Sequence, residues 1–320
     1  MNIKTRGIPL QLLGLEALVR RVVNSNEMVE ADLKKWKSGY SGERSLDYYL
    51  NQLDDFLILH DLRLSTDSYT YFQLDTLLLS RCGLVILEVK NYQGRITFND
   101  ENHQVLRTLH QVEERIPNPL LQASRQKIEL EQFLIRQGWP TLPISYFVVY
   151  SSPQTILNTS SQKVIHAEAL PSKLRQYVQS TRKECLTTNQ MNQIGNVLKQ
   201  SHQPPQLNLL QKYNVAPPSI RTGVHCPKCS KLVMTREPRY RKWTCAHCAY
   251  QSSSAHIATL QDYALLFGPT ITNEQARFFL NIKSPSATKY HLNQLNLHTT
   301  GKNRGHVYHI PLPFTLSNKN

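Results

Sequence analysis

Between Phe56 and Leu109 the apolar residues come in short runs with strand-like alternation, and on either side of that region they recur at helical spacing. The pattern predicts strands over Phe56–Leu64, Tyr71–Ser80, Leu84–Tyr92, Arg95–Phe98 and Gln104–Leu109. Two of these form a hairpin, because Ser80-Arg81-Cys82-Gly83 suits a tight turn with glycine in its last position. Helical spacing marks Pro9–Val23, Ser25–Trp36 and Gly42–Leu53, the last carrying a stripe of Leu46, Tyr49, Leu50 and Leu53. Asn118-Pro119 reads as the N-cap and first turn of a helix that runs to Arg136, where Gly138 and Pro140 stop it. Ile144–Tyr150, ISYFVVY, is a continuous apolar run of the kind that forms a strand covered on both faces. One more strand at Lys163–Ala167 and a helix at Pro171–Val178 complete an α/β pattern, a mixed, partly antiparallel central sheet flanked by helices.

Few charges interrupt the central hairpin, FQLDTLLLSRCGLVILEVKNYQG, and those few are informative. Asp75 lies in its first run, and Glu88 and Lys90 close the second; strands do not bury such residues unless they are paired or bind a metal. If the loop is even and centred between Arg81 and Cys82, Asp75 falls opposite Glu88, and Lys90, two residues on, shares the face of Glu88. Two carboxylates on adjacent strands suit Mg²⁺, which takes hard oxygen ligands and few of them from protein. A neighbouring ammonium can orient or help deprotonate an attacking water and stabilise charge building on phosphorus. The plainer alternative is a buried ion pair, a poor stabiliser once desolvation is counted. Glu43, three residues before Leu46, shares the face of that apolar stripe; an acid at the positive end of a helix dipole would account for it equally well.

After proline pairs at 204–205 and 217–218, which bracket an expected linker over 203–222, the composition changes. HCPKC, fifteen intervening residues and CAHC place Cys226, Cys229, Cys245 and Cys248 at the spacing of a four-thiolate Zn²⁺ site, with a redox dithiol as the weaker alternative. His225 and His247 are spare nitrogens, and the lone Cys82 and Cys185 read as small apolar residues. His256–Phe267 is helical in pattern. Thr272 to Gln275 is a capping box for a helix to Leu280, with Ile271 placed to pack on Ala276. Ser284-Pro285 opens another helix with Tyr290, Leu292 and Leu295 on its apolar side, and Leu297–Ile310 contains TTGKNRGHVYHI, two short strands about a basic loop. Helix, turn, helix and basic hairpin is the order of a winged helix-turn-helix, which makes Lys283, Lys289, Lys302 and Arg304 candidate DNA contacts. A small helical dimerisation module is the alternative.

Composition adds a partner. Of a formal net charge of +14 over 320 residues, the last hundred carry +10, with 13 Lys and Arg against 3 Asp and Glu. Such concentration favours a polyanion. The length implies two or three domains, and with neither a long apolar run nor a signal-peptide pattern the expected protein is soluble and cytoplasmic, with no membrane partner.

The segment LDTLLLSRCGLVILEVKNYQGRI, preceded by SGERSLDYYL and followed by NPLLQASRQK, resembles the nuclease-related domain (NERD) family of the PD-(D/E)XK nuclease superfamily, over roughly residues 39 to 150. The resemblance implies a restriction-endonuclease-like core over 39–202 in which Asp75 and Glu88 hold Mg²⁺ or Mn²⁺, Lys90 is the catalytic lysine, Glu43 is the helical acid that completes the site and Gln122 is a supporting polar residue. Leu74 stands where the superfamily often has proline. The expected arrangement is then a helical lead-in over 1–38, the nuclease-like domain, the linker, a zinc ribbon over 223–255 and a winged-helix-like domain over 256–320. The expected function is Mg²⁺-dependent hydrolysis of DNA phosphodiester bonds. A DNA-binding regulator or scaffold that no longer cuts is the alternative, a protein-interaction role for the last third a weaker one, and a homodimer that cuts both strands is left open.

Overall fold

In the computed structural model, residues 1–23, 27–67, 70–181, 184–236 and 242–312 are described. The chain opens with β1 (Asn2–Lys4), α1 (Leu10–Arg21), α2 (Glu27–Ser45) and α3 (Asp47–Leu50). A run of strands follows: β2 (Leu57–Ser65), β3 (Tyr71–Ser80), β4 (Gly83–Lys90), β5 (Gly94–Asn99), β6 (Gln104–Leu109) and β7 (Val112–Ile116). Next come α4 (Pro119–Arg136), β8 (Ile144–Tyr150), β9 (Thr155–Asn158), β10 (Val164–His166), α5 (Leu170–Ser180) and α6 (Thr188–Gln200). Beyond them lie α7 (Leu209–Lys212), β11 (Met234–Thr235), β12 (Trp243–Cys245), β13 (Gln251–Ser252) and α8 (Ala255–Phe267). The last elements are β14 (Thr270–Thr272), α9 (Asn273–Leu280), α10 (Pro285–Asn293), β15 (His298–Thr300) and β16 (Val307–His309).

Two compact units result, one of residues 1–8 and 37–204, the other of 9–36 and 205–320. In the first, six strands lie in the order β1-β2-β3-β4-β8-β10. The three at β2, β3 and β4 are antiparallel, and β8 joins β4 in parallel, so the sheet is mixed. Leucines at 77 and 79 on β3 and Leu84 and Ile86 on β4 bury one face against Leu130, Phe133 and Leu134 of α4 and Ile194 and Leu198 of α6. The alternate positions Leu78, Val85 and Leu87 bury the other against Leu46, Leu50, Leu170 and Leu174. Both faces are covered, which explains why these strands are nearly all apolar. A second sheet, β7-β6-β5-β9, carries Ile96, Val105 and Ile116 into a smaller core shared with Val148 and Tyr150.

Helix α2 departs from the sequence pattern. The expected stretches 25–36 and 42–53 are one helix as far as Ser45, followed by the single turn of α3; Ser25, the expected start, lies outside the described residues. Gly42 accounts for the difference. A Cβ there would come within 2.5 Å of Asn91 Cβ and 2.6 Å of Ser151 Oγ, so the glycine lets the helix approach the ends of β4 and β8 closely and does not mark a stop.

The second unit has its own core, in which Leu15 and Leu18 of α1 pack with Leu260, Leu265, Trp243, Phe279 and Tyr308. Leu209, Tyr213 and Ile220 are buried in it as well. Arg21 is fully buried: its Nε donates to Asp262 Oδ2 at 2.7 Å, its Nη1 to the Arg221 carbonyl at 2.9 Å, and its guanidinium lies 4.4 Å above the Phe279 ring. From α8 the order is helix, strand, two helices and two strands, with the strands in one antiparallel sheet, β14-β16-β15. Thr272 and Gln275 form the expected capping box, and Ser284 accepts from the Ala287 N–H at the start of α10. Strand β14 was not expected; its Ile271 is fully buried.

Gly83 carries the register of the central hairpin. It has φ of 129°, and a Cβ there would meet the Pro143 carbonyl oxygen at 2.3 Å. Gly83→Ala is expected to destabilise the protein by about 1–3 kcal/mol, since both the backbone angle and the contact would be strained. Urea unfolding tests this, and an unchanged midpoint would count against the turn as described.

Candidate functional site

The β3–β4 ladder begins with Ser80 opposite Gly83 and runs to Thr76 opposite Leu87. The next step of that register sets Asp75 against Glu88. Here the regular ladder ends, and the Asp75 side chain takes over from the backbone: Oδ2 accepts the Val89 N–H at 2.8 Å. Glu88 shares the parity of Ile86 and rises on the α4 side of the sheet, where Gln126 meets it, while the Val89 bond ties the Asp75 carboxylate to the same end of β4.

Glu88 is 1% exposed. A carboxylate so buried must have partners for both oxygens. Oε1 accepts from Lys90 Nζ at 2.6 Å, and Oε2 from Gln126 Nε2 at 2.8 Å. Lys90 also donates to Gln122 Oε1 at 3.1 Å, and Gln126 donates to the Gln73 carbonyl at 2.9 Å. The two glutamines are one helical turn apart, so α4 presents both to the same strand pair. Helix α4 is held in that position at its start by Asn118, whose side chain accepts from the Leu120 and Leu121 N–H groups.

Glu43 sits in the last turn of α2, next to the negative end of the helix dipole, so the dipole does not explain it. Its Oε2 accepts from Arg6 Nη1 at 2.6 Å. Arg6, just after β1, is a nearly buried hub whose Nη2 also reaches His60 Nδ1 at 2.8 Å, Thr76 Oγ1 at 3.1 Å and Asp47 Oδ1 at 3.3 Å.

Electrostatics tie these groups together. Burial, reinforced by the charges of Glu88 and Glu43, pushes the half-buried Asp75 carboxyl well above the usual carboxylate range. Burial also raises Glu43, to about 7, against the opposing pull of Arg6, with Glu88 adding repulsion. For Lys90, burial alone would lower the ammonium, but the Glu88 carboxylate outweighs it, so the group titrates above the ordinary lysine range and stays cationic. Burial and the charges of Arg6 and Lys4 drop His60 to about 3, leaving it neutral. Three crowded acids that repel one another, with Arg6 on Glu43 and Lys90 on Glu88 as their cations, have the character of a site that binds something positive.

A divalent cation fits this donor set. Asp75 and Glu88 offer hard oxygens, and Gln126 Oε1 is buried without a hydrogen-bond partner beside them. Among the described residues, the cysteines are the only set of three or more His, Cys, Asp or Glu whose ligand atoms all lie within 4.8 Å of one another. Glu43, Asp75 and Glu88 therefore do not close to that spacing as a trio, and Asp75 and Glu88 are the residues that would hold a cation.

The cysteine set is Cys226, Cys229, Cys245 and Cys248. Sulfur separations are 3.7 Å for Cys226–Cys248 and 3.6 Å for Cys229–Cys245. Each CxxC pair forms a knuckle: the Ser230 N–H donates to the Cys226 carbonyl and the Ala249 N–H to that of Cys245, with φ of 58° and 53° at those two residues. His225 turns away to Thr259 and Asp262, and His247 is exposed. Lys283, Lys289 and Lys302 are all exposed, after α9, within α10 and in the β15–β16 loop; the side chain of Arg304, in the same loop, lies outside the described residues. No helix among the described residues is long and apolar enough to cross a membrane.

Sequence reasoning thus reached Asp75, Glu88, Lys90 and Gln122, which the fold gathers, and missed Gln126, Arg6, His60 and Thr76. Gln126 had a signal, since it repeats Gln122 at i+4 and falls on the helix face that Pro119, Ala123, Leu130 and Phe133 make apolar. Arg6 had none, being remote in sequence from everything it touches.

Comparison with known proteins places this region in a family match. Residues 38–151 match the family described as nuclease-related domain (NERD), a span that holds Glu43, Asp75, Glu88, Lys90, Gln122 and Gln126. Over 132 residues the chain is 25% identical to an uncharacterized protein of Bacillus anthracis, a match that covers 41% of this chain and 61% of that protein's length. No solved structure matches.

Glu43 makes the site's charge measurable. Its folded-state value of about 7 exceeds the ordinary 4.5, so the folded protein keeps a proton that the unfolded chain has lost. This contribution to stability is complete below about pH 4.5 and is lost as pH rises through about 7, by at most about 3 kcal/mol. Metal-free Glu43→Gln is therefore expected to gain stability relative to wild type as pH rises from 4.5 to 7, measured by urea unfolding. Parallel profiles for the two proteins would contradict the assignment.

Proposed function

We propose that the first unit is a Mg²⁺- or Mn²⁺-dependent nuclease with a restriction-endonuclease-like core, and that it hydrolyses phosphodiester bonds in DNA. The observation that carries the reading is the triad of Asp75, Glu88 and Lys90 on the paired ends of β3 and β4, with Lys90 bridging Glu88 and Gln122. A cation bound by Asp75 and Glu88 supplies Lewis-acid polarisation of the phosphoryl oxygens. Lys90, held cationic, orients the attacking water and stabilises negative charge as it builds on the phosphate. Gln122 and Glu88 hold the Lys90 ammonium in place, so its position is set before substrate arrives. Glu43, with a carboxyl poised near neutral pH, completes the acidic wall and can accept a proton in that range.

The second unit is read as the means of delivery. Its four thiolates are a structural zinc ribbon, supported by their mutual spacing and by the paired knuckles. Its helix, strand, two-helix and two-strand order with a β14-β16-β15 sheet supports a winged-helix reading, in which α10 approaches the groove and the β15–β16 loop the phosphates. Exposed Lys283, Lys289 and Lys302, together with Arg304, are the proposed contacts to DNA. The protein is read as soluble and cytoplasmic.

Two experiments test these readings. Plasmid and single-stranded DNA incubated with protein and Mg²⁺ or Mn²⁺ are expected to be cut by wild type, with Lys90→Ala and Asp75→Asn each slowed by at least about 100-fold. Equal, background-level cleavage by all three would reject the enzyme in favour of a DNA-binding regulator or scaffold. For the ribbon, metal analysis of protein purified without chelator should give about one zinc per chain, lost in Cys226→Ser together with local unfolding, because structural zinc contributes folding free energy. Absence of zinc from the wild type would reject the ribbon.

A further inference from the structure

The second unit contains a concave pocket of about 830 Å³ that none of the expected DNA contacts lines. Its wall includes Arg20 from the end of α1, Arg221 and Lys231 from the segments before and within the first cysteine knuckle, and Phe278 from α9. Three cations line it, with Cys229 of the thiolate set and no aspartate or glutamate. Arg221 and Lys231 are exposed. Arg20 is tied only loosely, at 3.4 Å, to Asp262, whose other oxygen already takes Arg21 at 2.7 Å.

Phe278 is the informative member. Its neighbour Phe279 is buried, edge-on to Tyr263 with 5.2 Å between ring centroids, and supplies the core contact that the helix needs. Phe278 points the other way and is 73% exposed. An isolated exposed phenylalanine is ordinary; one at the rim of a cavity with three cations and no acid has the composition of a nucleotide site. The ring offers a face for a base, and the cations offer charge for the phosphates on either side.

We propose that this pocket binds single-stranded nucleic acid, stacking a base on Phe278 and holding the adjacent phosphates with Arg221, Lys231 and Arg20. A duplex fits less well, because its bases are already stacked on one another and leave no free face for the ring. The volume suits one or two nucleotides, within the range of pockets that enclose small organic ligands. The inference rests on the nucleic-acid reading of the second unit but not on catalysis by the first. It gives the protein a means of engaging an unpaired strand, separate from the lysines of the helix-turn-helix and its loop.

The test is fluorescence anisotropy with full-length Lys90→Ala protein and labelled 15-residue oligodeoxyuridylate, oligouridylate and a hairpin duplex. At least one of the single strands should bind, and Phe278→Ala should weaken that binding about 5- to 150-fold, the span expected for one base–aromatic stack. Phe278→Trp should retain it. Arg221→Ala with Lys231→Ala should reduce the salt slope by about 1.4, two phosphates at about 0.7 each for a single strand. Whichever of the two strands loses more with Phe278→Ala identifies the sugar preferred, and the duplex should be less sensitive to that change. Unchanged single-strand affinity in Phe278→Ala, equal losses with Trp and Ala, or displacement by polyglutamate that ignores Phe278 would each overturn the proposal. Failure of the nuclease reading would look different: metal-dependent cutting would be missing while Phe278-dependent binding stayed intact.

Discussion

The first unit depends on one buried carboxylate. Glu88 is removed from water and retained only because Lys90 and Gln126 each take one of its oxygens. A charge so buried and left unpaired would cost several kcal/mol, and a single missing partner would expose that cost. Much else follows from meeting the requirement. Helix α4 must present Gln122 and Gln126 to β4, and the Asn118 cap fixes where that helix begins. The hairpin must keep its two-residue turn, and Gly83 is the residue that fits it. Burial raises both Asp75 and Glu43, and the Glu88 charge beside them adds to it. At the site proposed here, holding the acids in mutual repulsion gives up stability for function.

Legibility in the sequence tracked how local the physical cause was. The register that sets Asp75 against Glu88 follows from a four-residue turn and strand parity, both readable from the letters. The α4 start was equally readable, because Asn118-Pro119 is a local signal. Glu43 was found, but its place in a helix was misjudged: Gly42 looked like a boundary, whereas it is small because Asn91 and Ser151 press against it. Arg6, His60 and Thr76 come together only after β1 pairs with β2 and β2 with β3, and no spacing rule encodes that. Residues 1–4 are too short a run to be read as a strand, and β9 and α6 are likewise short or polar enough to escape a periodicity argument.

The second unit shows the same division. Two CxxC pairs and a capping box are local, and they stand as expected. That Leu15 and Leu18 of α1 belong to its core, with Arg21 buried against Asp262 across 241 residues of chain, is a tertiary fact without a sequence signature. Proline pairs at 204–205 and 217–218 read as punctuation, while the leucine, tyrosine and isoleucine near or between them are buried. Phe278 and Phe279 make the point most plainly: identical neighbours in the sequence, one is core and the other lines a cationic pocket.

The central claim is that Asp75 and Glu88 jointly hold a divalent cation beside Lys90. The most direct test is anomalous diffraction from crystals of the protein soaked in Mn²⁺. The account predicts a peak at coordination distance from a carboxylate oxygen of each residue, absent in Asp75→Asn. Full loading elsewhere with no peak between those two side chains would contradict it.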